Sequence, residues 1–269
     1  MKNRIIYYKD ELNDDFAGTS KIKSTPTPDD FNYINHSFIY RFFEFIIYNI
    51  IVRPLVYLFI KIKYHQRFKN KRILREYKKQ GYFVYINHTN CDADAFIPSM
   101  LTFPKKDYII VNPDAISIKG IRTLVMMLGA LPVPSTIKTS RNFIDAIKKL
   151  IEKKKAIIIY PEAHIWPYYT DIRNFKDTSF RYPYDLDVPI FTVTNIYKKR
   201  KICKRPRIVS IMDGPFMADK SLPKKESIKD LRNQAYNAMK KNVDSNPKYE
   251  YIKYIKSNDE LAGCWLIFI

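Results

Sequence analysis

One window, FIYRFFEFIIYNIIVRPLVYLFIKI (residues 38–62), is so apolar that the rest of the chain has to be arranged around it. Its length invites a transmembrane span. Arg41, Glu44 and Arg53 argue against one, because a charged side chain at a bilayer centre costs roughly 2.5–3.5 kcal/mol, and Pro54 removes a helix hydrogen bond. The uninterrupted stretches on either side of Arg53-Pro54 fall short of the ~20 residues that a bilayer requires. Two short helices bent at Pro54, lying in the headgroup region or dipping into one leaflet, fit the pattern better. The run that follows, residues 61–80, holds nine basic side chains against one acidic, Glu76. Lysine and arginine beside an anionic leaflet contribute about 1 kcal/mol each. Residues 33–80 are therefore predicted to be a membrane-docking helical segment; the competing reading is an amphipathic helix pair packed on the domain's own core.

Lys plus Arg number 47 and Asp plus Glu 27, a formal net charge of +20, which calls for a polyanionic partner or an anionic surface. The charge is patchy: residues 198–207 alone carry seven basic side chains and none acidic. These runs lack the aromatic and glycine pattern of a single-strand reader, and no zinc-finger or basic-zipper spacing occurs, so nucleic acid is excluded as a partner. A hydrophobic share of 46% assures a packed globule rather than a disordered chain. Cys91, Cys203 and Cys264 are odd in number and widely spaced, which suggests neither a disulfide frame nor a zinc site and fits a reducing cytoplasm. Residues 1–32 mix acids, Ser and Thr around Pro26 and Pro28 without periodicity and read as a flexible leader. Their short apolar patch is no secretory signal.

Beyond Gly81, short apolar runs alternate with helix-periodic segments, the pattern of an α/β protein. Residues 81–269 are predicted to form one domain, a mixed β-sheet flanked by helices. Strands are expected at 82–87, 108–112, 130–133, 156–160, 188–194 and 207–213. Ser140 can cap a helix with the stripe Phe143, Ile147, Leu150 and Ile151, and Ile228, Leu231, Ala235, Met239 and Val243 form a second stripe. The terminal LAGCWLIFI is apolar and has no clear place.

The segment YINHTNCDADAF puts His88 directly after a strand, with Asp92 and Asp94 close behind. The end of a strand in an α/β sheet is where rigid elements hold side chains at a crevice. An imidazole whose far nitrogen meets a carboxylate is held in one tautomer and made more basic, which suits it to take a proton from a hydroxyl. His88 with Asp92, Asp94, Glu162 and His164 also has the chemistry of a metal site. Cys91 is a nucleophile by type, but its position in the turn beside His88 is awkward.

Four blocks then resemble, in order, the glycerolipid acyltransferases of the 1-acylglycerol-3-phosphate acyltransferase type: NHTNCDAD (87–94), GALPVPS (129–135), YPEAHIW (160–166) and VPIFTVT (188–194). FKDTSFR (175–181) is similar to the stretch between the last two. The family's first motif has four residues between His and Asp; here that slot holds Ala93, and the candidates are Asp92, with three residues between, and Asp94, with five, with Asp94 favoured. The resemblance implies that His88 is the base and Asp94 its orienting acid, with Glu162 binding or positioning the acceptor. The third motif's Gly-Thr-Arg is replaced, its Arg falling near Ile165, so Lys176, Arg181 and Arg173 are candidate anion ligands and His164 a substrate contact. No metal and no cofactor are implied beyond the co-substrate, acyl-CoA or acyl-carrier protein. The acceptor would be a lysophospholipid or related glycerolipid, and the protein a peripheral or monotopic one on the cytoplasmic face of an anionic membrane. The alternative is a non-catalytic lipid-binding protein of the membrane surface that has kept the fold. The other His-x-x-x-Asp acyltransferase group, which His88 and Asp92 fit literally, has much longer chains with two such halves.

Overall fold

The computed structural model describes residues 4–18, 24–118 and 120–257; LAGCWLIFI lies outside them. The strands are β1 (Ile5–Tyr8), β2 (Arg67–Lys69), β3 (Tyr82–Ile86), β4 (Asp107–Val111), β5 (Ala130–Pro132), β6 (Ala156–Ile159), β7 (Ile190–Lys198), β8 (Arg207–Phe216) and β9 (Lys253–Lys256). Seven of them form one mixed sheet in the order β2-β8-β7-β3-β6-β4-β5, with β7 and β8 antiparallel and every other pair parallel. Every residue of β3 and β6 is buried. Strands covered on both faces have no need of alternation, which is why they read as unbroken apolar runs.

All six predicted strands are present, with shifted ends. β2 was not among them: Arg-Phe-Lys has no apolar alternation and joins the sheet edge only through its backbone on Val209–Ile211. The helix Ile137–Glu152 buries Phe143, Ile147, Leu150 and Ile151 as expected, but Ser140 is not its cap. Thr136 is, its hydroxyl accepting from Thr139 N–H at 3.2 Å while Thr139 Oγ1 accepts from Thr136 N–H at 2.9 Å. Ser140 instead donates to the Thr136 carbonyl. Gly129, at φ +98°, brings the chain so close to β4 that a Cβ there would strike the Asp107 carbonyl.

The apolar window is a single helix, Phe38–Tyr64, not two helices parted at Pro54. Its middle, Ile46–Val52, is π-helical, and Arg53 N–H bonds Tyr48 O five residues back. The widened turn just ahead of Pro54 lets the helix absorb the missing donor. Two of the charges that spoke against a span are held by the domain. Arg53, 8% exposed, donates to the Lys105 carbonyl at 2.6 Å and to Asn49 Oδ1 at 2.8 Å, and Glu44 pairs with Lys106 at 2.6 Å. Val56, Ile60 and Tyr64 pack on Ala93, Ile97, Met100, Tyr197 and Ile208. The other face, with Ile39, Leu55, Leu58 and Ile62, is open.

The described part of residues 1–32 holds a strand that their composition does not announce. β1 pairs in parallel with β9. Phe16 N–H bonds the Ile165 carbonyl at 3.0 Å, and Trp166 Nε1 donates to the Asp14 carbonyl at 2.8 Å. Its few apolar side chains find their partners far along the chain, where no local pattern shows them: Tyr8 and Phe16 both pack on Trp166.

Candidate active site

β3, β6 and β7 run parallel, so their C-terminal ends share one edge of the sheet. There Asn87 is locked to β7: its Nδ2 donates to the Asn195 carbonyl at 3.1 Å and its Oδ1 accepts Asn195 N–H at 2.7 Å. His88 follows at the start of a tight turn. Asp94 closes that turn by gathering three donors on one oxygen, His88 Nδ1, Thr89 N–H and Asn90 N–H, each at 2.9 Å. Ala93, in the slot where a shorter turn would place the acid, is fully buried under the apolar helix. The one extra residue thus carries Asp94 around to His88. The Asp94 carboxylate is 2% exposed and the imidazole 17%. Tyr160, next after β6, stacks on the imidazole at 4.3 Å between centroids and bonds the Asp94 carbonyl through its hydroxyl at 2.5 Å.

Glu162 lies behind this pair, fully enclosed. Its Oε2 accepts His88 N–H at 2.9 Å, and its Oε1 accepts Arg173 N–H at 2.9 Å. Burial pushes its carboxyl above the ordinary range, against the pull of the Arg173 guanidinium and the two N–H groups. The loop onward also clasps the turn: Trp166 N–H bonds His88 O at 3.1 Å and Tyr168 N–H bonds Thr89 O at 2.7 Å. From β7, the Tyr197 hydroxyl reaches Thr89 O at 2.8 Å.

The structure thus brings His88, Asp94 and Glu162 together and places the other candidates apart. Asp92 turns to the end of the apolar helix, paired with Lys63 and accepting from the Tyr64 hydroxyl at 2.9 Å. Arg173 is buried and occupied with Glu162 and the His164 carbonyl. Arg181 pairs with Asp185 on the surface, and Lys176 is exposed on the same stretch. The His164 ring lies 3.8 Å from Asp15 of the N-terminal segment. Among the described residues no three His, Cys, Asp or Glu side chains gather as a metal-ligand set. Cys91 is an exposed residue, yet partial desolvation of its thiol, with Asp94 and Asp92 adding repulsion, pushes its pKa up to about 11, the wrong direction for a nucleophile. Tyr160 and Tyr197 were missed by sequence reasoning; Tyr160 stood in plain view at the head of YPEAHIW.

With Nδ1 engaged by Asp94, the imidazole keeps Nε2 for a proton. Asp94 fixes the ring and stabilises the cation formed, and the Tyr160 face limits its tilt. The arrangement suits general-base removal of a hydroxyl proton.

Residues 61–195 match the family model described as Acyltransferase, a span that contains the whole His88 turn, Tyr160, Glu162 and β7 up to Asn195. Among solved structures, the chain is similar to the 1-acyl-sn-glycerophosphate (LPA) acyltransferase, PlsC, from Thermotoga maritima, at 13% identity and a TM-score of 0.52, over 78% of this chain and 89% of that one. That likeness is one of fold. No curated protein matches the sequence.

Proposed function

Since this chain belongs to the acyltransferase family, we propose that it moves a fatty acyl group from an acyl thioester, carried by CoA or acyl-carrier protein, to the hydroxyl of a lysophospholipid or related glycerolipid. The observation that carries this reading is the Asp94 carboxylate, whose one oxygen holds both the His88 ring and the backbone of the turn that presents it.

His88 Nε2 takes the proton of the acceptor hydroxyl as its oxygen attacks the thioester carbonyl. The tetrahedral intermediate collapses to the ester and expels the thiolate, which recovers the proton from the imidazolium. Both substrates bring the bonds that change, so the reaction asks of the protein a base, an orienting acid and a place for each substrate. Glu162 serves as a positioning residue, holding His88 through its backbone N–H. The open face of the apolar helix seats the protein on the cytoplasmic face of a membrane, where a lipid acceptor reaches His88 without crossing water.

The test incubates purified protein with a radiolabelled acyl thioester and lysophospholipid vesicles, then resolves the lipids. Wild type yields a labelled diacyl lipid, and His88→Ala does not while still binding vesicles. A wild type that transfers nothing to any acceptor but binds lipid tightly would be a binding protein on this fold.

A further inference from the structure

The three cations that the sequence offered for an anion stand elsewhere: Arg173 on Glu162, Arg181 on Asp185, and Lys176 exposed beside it. Yet the basic stretch 198–207 serves no step of the mechanism, and it borders the catalytic turn. We propose that Lys63 and Arg205, braced by Arg200, form a phosphate-binding site on the Asp92 side of the His88 turn, and that it takes the phosphate of a substrate.

Arg200, in the connection between β7 and β8, ties that connection to the apolar helix: its Nη2 donates to the Lys63 carbonyl at 2.9 Å and its Nε to the Arg205 carbonyl at 2.7 Å. The Arg205 guanidinium is thereby set 5.8 Å from the Tyr64 ring centre. Among the described residues that guanidinium makes no hydrogen bond, which leaves five N–H donors in a planar fork. Among the described residues Asp92 is the carboxylate that answers these cations, paired with Lys63, and it is held below the ordinary range by Lys63, by the Tyr64 hydroxyl and, further off, by Arg205. Lys63 and Arg205 against Asp92 leave a positive surplus, and a phosphate monoester carries about −1.5 to −2 at neutral pH.

The site also lies at the right place. Asp92 is four residues beyond His88, a chain length that spans at most about 14 Å, and the turn is closed further by Asp94 N–H on Asn90 O. Tyr168 links the two sides, since its N–H bonds the carbonyl of Thr89 while its hydroxyl meets that of Tyr64. Arg205 thus lies on the Asp92 arm of the turn that begins at His88. The identity of the substrate rests on the acyl-transfer reading; the site itself does not.

The experiment measures equilibrium binding to the full-length protein, by titration calorimetry without vesicles. The probes are a short-chain lysophosphatidate, the matching phosphate-free monoacylglycerol, and CoA. Arg205→Ala and Lys63→Ala, each with an unchanged melting temperature, are expected to weaken one phosphate-bearing probe by about tenfold or more, to leave the monoacylglycerol unaffected, and Arg205→Lys to recover part of the loss. Loss for lysophosphatidate assigns the site to the acceptor; loss for CoA assigns it to the donor. Variants that bind every probe as wild type does, or that lose the phosphate-free probe equally, overturn the proposal. A wild type that binds phosphate through Arg205 yet transfers no acyl group would overturn the reaction and leave the site standing.

Discussion

Glu162 accepts the backbone N–H of His88 and the guanidinium of Arg173 on the same oxygen, Oε2, at 2.9 Å and 3.4 Å. The ion pair is completely enclosed, with side-chain exposures of 0% and 1%. Removing one partner of such a pair leaves a buried charge uncompensated. Arg173→Ala is therefore expected to cost about 3–5 kcal/mol of stability, read from the urea midpoint. Arg181→Ala, at an exposed pair, is expected to stay within about 0.5 kcal/mol and to leave acyl transfer unchanged. A stable Arg173→Ala protein with only a raised KM for acceptor would make Arg173 a ligand and refute its structural role.

The contrast between Asp94 and Arg173 shows what the chain reveals of itself. His88, Thr89, Asn90 and Asp94 bond within one seven-residue turn, so their pairing is legible from local spacing, and the central strands are legible because β-branched apolar runs go nowhere else. Arg173 looked like an anion ligand because spacing says nothing of burial. Lys63 and Asp92 meet only after β7 and β8 seat the apolar helix, a relation that depends on strand order. The strand Ile5–Tyr8 is hidden for the same reason, since its partner is Lys253–Lys256.

His88 and Asp94 should separate cleanly by kinetics. His88→Ala removes the base and is expected to lower kcat by roughly 10³–10⁴-fold, and Asp94→Asn, which frees the ring to take the wrong tautomer, by roughly 10²–10⁴-fold. Asn keeps an oxygen for the turn's N–H donors, so the melting temperature should fall only slightly. If Asp94→Asn retained most of the wild-type kcat, the hydrogen bond would be architectural and the proposed catalysis lost.

Cys91 provides a pH test of the turn's electrostatics. Cys91 is exposed, but partial desolvation of the thiol together with Asp94 and Asp92 pushes its pKa up, so the thiolate fraction at pH 8 lies below that of an ordinary thiol. In a Cys203→Ser, Cys264→Ser background, iodoacetamide should label Cys91 slowly at pH 8, with the rate climbing as pH rises toward 11. Labelling at pH 8 as fast as free glutathione would show that the thiol does not lie against those carboxylates.

The apolar helix makes the sharpest demand, because its two faces call for opposite outcomes from the same substitution. Val56 and Ile60 are buried on the domain, while Leu55 is 63% exposed, Leu58 55% and Ile62 65%. These last three stand on one face at spacings of three and four residues, and burying each is worth about 1.5–3 kcal/mol. Leu55→Asp, Leu58→Asp and Ile62→Asp combined should leave thermal unfolding in detergent-free buffer unchanged. The same triple change should weaken sedimentation with anionic vesicles by on the order of a hundredfold or more. Ile60→Asp should do the reverse, unfolding the protein by placing an unpaired charge in the core. Because the basic residues 61–80 add an electrostatic share, wild-type binding should also decline with salt without vanishing. If the triple variant sedimented like wild type, the exposed face would not be what meets the lipid, and the basic segments alone would have to account for docking.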